Sequence, residues 1–255
     1  MSLLVAQRAG NPAALGAAFS WDPTQLGAQL VGFLDAEDNT KITTVSGAVS
    51  AFTDSVSGGT ITQATSSSRP LLQTSPLTGR QVVQADGVDD NLTGSVPAAW
   101  PLSGATEWIW IGTQEATAGD GVTRNAVAVG SGTAAVSQFL LRVSTNNVFR
   151  AQCGNGTTST FAQVPSSSPA TGRVILGGKW DGSTVYASVN GVFGPSAAIA
   201  QATNNTRLRL FANATSTPGG FWQGGMSAFL VINGNLAAQD WNNLQVWASK
   251  RLGLI

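Results

Sequence analysis

Three carboxylates crowd one short stretch, Asp86-Gly87-Val88-Asp89-Asp90, and converging carboxylate oxygens are what a hard cation such as calcium requires. The same spacing suits a tight turn in which Asp side chains accept from backbone amides, so Asp86, Asp89 and Asp90 carry two readings, a calcium site and a structural turn. Glycoside hydrolysis needs a pair of carboxylates on one face, an acid and a nucleophile. The chain has only three glutamates, Glu37, Glu107 and Glu115, and Glu107 is followed by Trp108-Ile109-Trp110-Ile111 where further acids would stand. No catalytic residue is therefore assigned. Histidine is absent, which removes Ser-His-Asp and Cys-His catalysis and every His-based metal site. Cys153 is the single cysteine; it can form no internal disulfide and reads as a small buried strand residue.

Aromatic rings stack on sugars, so eight tryptophans invite a carbohydrate-binding reading. Trp108 and Trp110 share one face of a strand, Trp241 and Trp247 belong to a helix, and Trp100, Trp180 and Trp222 lie nearer turns. Because loops carry binding more often than strands, the glycan-binding candidates are Trp180 and Trp222 with Asn204, Asn205 and Asn213. Packing inside the fold is the competing account of the same tryptophans. Arg207 and Arg209 share a strand face, but two guanidinium groups do not make a nucleic-acid surface.

The elements that must position these residues are mostly strands. Asp181-Gly182 and Asn190-Gly191 tolerate positive φ, and Val185, Ala187 and Val189 alternate between them, the pattern of an antiparallel strand between two turns. Glu107–Thr113 is rich in β-branched and aromatic residues. The segments 139–143 and 148–151 flank a polar hairpin tip, and further strands are expected at 173–176, 207–211 and 226–232. Ile42, Val45, Val49 and Phe52 are expected core contacts of a strand-turn pattern. One helix closes the chain: Asn233 or Asn235 is the expected cap, Trp241, Leu244, Trp247 and Ala248 form its apolar face, and Gly253 ends it.

With 255 residues the chain is long enough for one large β domain. Charged residues are only 10% of it, 13 basic against 13 acidic, so no charge excess points to nucleic acid or an anionic membrane. No run approaches the ~18 apolar residues of a membrane helix, and the first twenty residues lack the pattern of a secretory leader. Residues 1–30 read as an extended arm, and 31–255 as the domain.

Three motifs in order resemble the concanavalin A-like, laminin-G-like jelly roll, especially as found in bacteriophage virion proteins. Asp86-Gly87-Val88-Asp89-Asp90-Asn91-Leu92 is similar to that family's acidic strand start. Lys179 to Gly191 is similar to its Asp-Gly to Asn-Gly hairpin, and Lys250-Arg251-Leu252-Gly253 resembles its closing helix. The resemblance implies an all-β fold: an antiparallel two-sheet jelly-roll sandwich with an N-terminal arm and one C-terminal helix. The resemblance covers about residues 31–255; together with the absent catalytic groups and the N-terminal arm it leads to the expectation of a non-enzymatic structural protein of the virion, in the head decoration, fibre or tail, with residues 1–30 as the expected anchor to other virion proteins in a homo-oligomer. The alternative is a glycan-binding module that recognises a host surface; a polysaccharide hydrolase ranks third. Calcium is the one cofactor in view, and neither nucleic acid nor membrane insertion is expected.

Overall fold

A strand buried at all nine positions belongs at the centre of a sheet covered on both faces, and Thr106–Gln114 is such a strand. It places Trp108 and Trp110 on one side and Ile109 and Ile111 on the other, and the two sets feed different apolar clusters. The computed structural model describes residues 20–101, 104–115, 121–130, 139–144, 148–154, 158–164, 172–199 and 206–255. In chain order the described strands are β1 (Leu30–Asp35), β2 (Ile42–Val45), β3 (Ala48–Thr53), β4 (Thr60–Thr62), β5 (Leu71–Thr74), β6 (Gln81–Asp86), β7 (Leu92–Ser95), β8 (Thr106–Gln114) and β9 (Arg124–Gly130). They continue as β10 (Phe139–Val143), β11 (Phe149–Gly154), β12 (Ser159–Gln163), β13 (Gly172–Trp180), β14 (Thr184–Val189), β15 (Val192–Phe193), β16 (Ala197–Ala198), β17 (Arg207–Leu210) and β18 (Gln223–Asn233). The chain closes with helix α1 (Ala238–Arg251).

Every pairing among them is antiparallel. One layer runs β1-β18-β8-β13-β14, with β6 beside the first part of β18 and β15 and β16 on the β14 edge. The other runs β4-β7-β17-β9-β10-β11-β12. The β2–β3 hairpin and β5 join the two at one end. Between the layers Trp108 and Trp110 pack edge-on against Phe229, Trp222, Phe211 and Trp100, with Leu141, Phe149, Leu176 and Val185 around them.

The side chains that β8 and β18 send the other way, Ile109, Ile111, Leu230 and Ile232, are covered by Leu244, Ala248 and Leu252 of α1 and by Leu26, Leu30 and Phe33. The helix therefore closes the back of the first layer, while among the described residues no helix lies on the outer face of the second. The expected hairpin turn is present: Asn190 (φ 50°) and Gly191 (φ 81°) join β14 to β15, with Val189 opposite Val192. At the preceding turn the Asp181 carboxylate accepts from the amides of Ser183 and Thr184 and from the Tyr186 hydroxyl. Burial is the largest single effect and raises its pKa, but those bonds together outweigh it and hold the pKa below the usual value.

Two local expectations fail. Val45 is 51% exposed although Val49 and Phe52 are buried and Ile42 is partly so; Val45 ends its strand at the Ser46-Gly47 turn, where both residues have positive φ, and its side chain stands outside the core. Neither Asn233 nor Asn235 caps α1. Asn233 still belongs to β18, paired with Thr106, and Gly234 turns the chain at φ 89°, so the helix begins later, after Ala237 and without a side-chain cap. Its end is as expected, with Lys250 and Arg251 in the last turn and Gly253 at φ 65°. The expected arm at 1–30 falls mostly outside the described residues; its last part, Pro23–Gln29, forms short 3₁₀ turns with Leu26 under the helix-side cluster.

Candidate functional site

Strand alternation builds the uncovered face. Leu141, Val143, Phe149, Ala151, Cys153, Leu208 and Leu210 point into the core, so the period of two sends Arg142, Arg150, Gln152, Arg207 and Arg209 outward. Register assembles them: Arg142 stands opposite Arg150 on one side and Asn125 on the other, and Gln152 stands opposite both Leu140 and Phe161. An irregularity between Leu141 and Arg142 skips Ala126 and brings Asn125 into line. Burial pushes the Cys153 thiol on the inner side up to about 12, as suits an inert packing residue.

The outcome is an open depression of about 500 Å³ lined by Asn125, Leu140, Arg142, Gln152, Asn213 and Thr215, within the size range of small-ligand sites. One wall is the loop after β17. The Asn213 side-chain oxygen accepts from the Gly219 amide at 3.1 Å and from the Thr215 hydroxyl at 2.8 Å. Arg209 donates to the carbonyls of Asn213 (2.8 Å) and Thr215 (2.9 Å), and Arg207 to that of Thr215 (3.0 Å). Asn125 donates to the Gly220 carbonyl at 2.8 Å; Gly220 has φ +59°, and a Cβ there would lie 2.3 Å from the Asn125 amide, so only glycine fits.

On the floor, Gln152 is 5% exposed, and the Nε of Arg142 is buried with no hydrogen-bond partner. Burial, and then the charge of Arg150, lowers the Arg142 pKa from its ordinary value. At the rim, Arg150 donates from Nε to Gln163 at 2.6 Å and lies 4.3 Å from the centre of the Phe161 ring. Phe161 is 42% exposed. Amide, hydroxyl and guanidinium groups beside an open ring can take up hydroxyl-rich or anionic ligands through hydrogen bonds and stacking.

The tryptophans expected to bind are not on this face. Trp180 is 1% exposed and Trp222 0%: Trp180 ends β13, paired with Val185 and Thr106, and Trp222 packs on Trp110 and donates to the Thr113 carbonyl. Neither ring can meet a ligand, because both sit between the layers, Trp222 edge-on to Trp110. Asn213 does line the depression, while Asn204 and Asn205 lie outside the described residues. Arg142, Gln152 and Phe161 were missed by sequence reasoning. The signal for Arg142 and Gln152 is the alternation in Leu140-Leu141-Arg142-Val143 and Phe149-Arg150-Ala151-Gln152.

The three aspartates do converge, with ligand oxygens within 4.8 Å of one another. Each also serves the turn: Asp86 accepts from the Val88 amide, Asp90 from the Asp86 amide and Asp89 from the Ser68 hydroxyl. One oxygen of each carboxylate is thereby used, and the other suits a hard cation. Burial first, offset by the Asp86 amide bond, and then the charges of Asp86 and Asp89 raise the Asp90 carboxyl to about 6. Glu107 stands elsewhere, on the helix side of β8 opposite Lys179, and accepts from the Leu236 amide at 3.2 Å. Burial raises it to about 7 against the lowering effects of that amide and of Lys179.

No protein-family model matches the chain, and no curated protein matches its sequence. Solved structures do resemble its fold. The binding domain of botulinum neurotoxin DC, in complex with rat synaptotagmin II, has a TM-score of 0.62 at 8% identity, over 86% of this chain and 52% of that one. Trypanosoma rangeli sialidase with the inhibitor DANA has a TM-score of 0.58 at 12% identity, over 92% of this chain and 34% of the sialidase. The Ruminococcus gnavus IT-sialidase CBM40, bound to α2,3-sialyllactose, has a TM-score of 0.51 at 14% identity, over 65% of this chain and 96% of the module. This chain thus spans about half of the toxin chain and a third of the sialidase, but nearly all of the module. At such identities the likeness establishes the fold: this chain is an antiparallel β-sandwich of the lectin-like, jelly-roll kind, closed on one side by a C-terminal helix.

Proposed function

We propose that this protein is a non-catalytic carbohydrate-binding module whose ligand lies on the outer face of the β17-β9-β10-β11-β12 layer. The observation that carries the reading is the depression at Asn125, Arg142, Gln152, Asn213 and Thr215 with the exposed ring of Phe161 close by. Sugars offer a hydroxyl edge and an apolar face, and this surface offers amide and hydroxyl partners beside an aromatic plane. Two of the structural neighbours are a sugar-binding module and a sialidase, which supports the same class of ligand. The lack of any Asp or Glu on β7, β9, β10, β11, β12 or β17 favours binding over hydrolysis, since hydrolysis needs paired acids beside the ligand.

A glycan array that includes lactose and α2,3-sialyllactose tests the proposal, with Phe161→Ala as the site control. Binding that Phe161→Ala abolishes, while the unfolding midpoint stays put, is the expected result. Binding that ignores Phe161→Ala displaces the site, and an array with no binding glycan sinks the function. The phage-particle setting is proposed on the motif resemblance of residues 31–255, and residues 1–30 are proposed, on their extended, arm-like sequence alone, as the anchor to virion proteins in a homo-oligomer. Fractionation of lysates tests it: a chain found only as a free monomer, never with particles, removes it.

A further inference from the structure

We propose that the ligand of this face is an acidic glycan, a sugar chain bearing carboxylate or sulfate groups, gripped by Arg142 and Arg150 beside Phe161. The proposal rests on the glycan-binding reading and deepens it. The chain has as many acidic as basic residues, yet the charges are sorted in space. Arg142, Arg150, Arg207 and Arg209 all lie on β10, β11 and β17, and the described strands of this layer, β7, β17, β9, β10, β11 and β12, contain no acid. The ion pairs recorded among the described residues join Arg80 and Arg251 to Asp35 and Glu37, on the helix side.

Two of the arginines have structural work. Arg207 and Arg209 fasten the loop that walls the depression, through its carbonyls. Arg142 differs in its place: it lines the depression, which Arg207 and Arg209 do not, and its buried Nε, like that of Arg209, has no partner. A buried donor left unsatisfied is costly, and a planar oxyanion can meet a guanidinium with two parallel hydrogen bonds. Arg150 is pre-positioned one strand away by Gln163 and by its stacking on Phe161, so a sugar ring resting on Phe161 would bring its acidic group to the arginine pair. The amide-lined hollow fits a ring with hydroxyls better than the repeating backbone of a nucleic acid, for which two guanidinium groups give little hold.

Calorimetry on the full chain in EDTA decides it, using a short oligogalacturonate, its methyl ester, a sulfated oligosaccharide of similar length and single-stranded oligo-dT. The ester keeps the rings and removes the charge. Binding of the acid or the sulfated chain is expected to be at least roughly tenfold tighter than that of the ester, to weaken with added salt, and to fall by a similar factor in Arg142→Gln. Arg142→Lys is expected to recover part of the loss, since it restores the charge without the fork. Which of the two anions binds identifies the group recognised. Equal binding of acid and ester, or an Arg142→Gln variant that binds as the parent does, overturns the inference and leaves neutral glycan recognition standing. Oligo-dT binding as tightly as the acidic sugars overturns the sugar class. Failure of all these probes together with an empty neutral glycan array overturns both readings. If Arg142→Gln does not fold, Arg150→Gln at the rim carries the same comparison.

Discussion

The carboxyl of Glu107 sets up a sharp test of how the core is organised. It is 4% exposed, in the central strand beneath the segment that leads into α1, and its folded pKa stands at about 7 against an ordinary 4.5. The folded state therefore binds a proton that the unfolded chain releases between those pH values. Stability from this group is fully present below pH 4.5 and is lost as pH rises through 7. At about 1.36 kcal/mol per pH unit the loss amounts to roughly 3 kcal/mol, an upper bound because water or a small shift of Lys179 would relieve part of it. Glu107→Gln keeps an oxygen to accept from the Leu236 amide and cannot ionise. The variant should match the parent near pH 4.5 and exceed it by up to about 3 kcal/mol at pH 8, with the difference growing steadily in between. Urea unfolding at four or five pH values measures this directly, and taking the difference between the two proteins cancels every other titrating group. Parallel profiles from pH 5 to 8, or a variant less stable at pH 8, would refute the burial of an ionisable Glu107 as described.

The tryptophans give a contrast of the opposite kind. Trp222→Ala should cost about 3 to 5 kcal/mol of stability, as removal of a large ring from a packed interior does; a variant that unfolds at the parent's midpoint would contradict its burial. Asp90→Asn should remove the part of the stability profile that declines between pH 3.8 and about 6. If calcium occupies Asp86, Asp89 and Asp90, calcium raises the melting temperature of the parent and leaves Asp90→Asn unmoved. A parent indifferent to calcium in large excess leaves these residues as a turn.

What could be read from the sequence was whatever local chemistry decides. Asp181-Gly182 and Asn190-Gly191 fix turns because few residue pairs accept their φ angles. Trp108, Ile109, Trp110 and Ile111 announced a central strand because both of its faces are apolar, and the sandwich followed from strands of this kind in series. The site was legible only in part because it depends on which sheet face the fold leaves bare. Leu141, Arg142 and Val143 state which side chains share a side, but nothing local states that α1 will cover the other layer. Trp180 and Trp222 misled for a related reason: proximity to a turn says where the backbone lies and not where a ring points. Phe161, an exposed ring between Thr160 and the buried Ala162, runs against the usual expectation for an aromatic in a strand. Asn213 was found because the loop that holds it is built from residues whose side chains favour turns.

The helix-side cluster has a practical corollary. Leu26, Leu30 and Phe33 near the start of the described residues meet Leu244, Ala248 and Leu252 near their finish, so these two described stretches lie together on the side turned away from the Arg142 depression. A linker joined after α1 would leave from the layer opposite the face that Phe161 and Arg150 present.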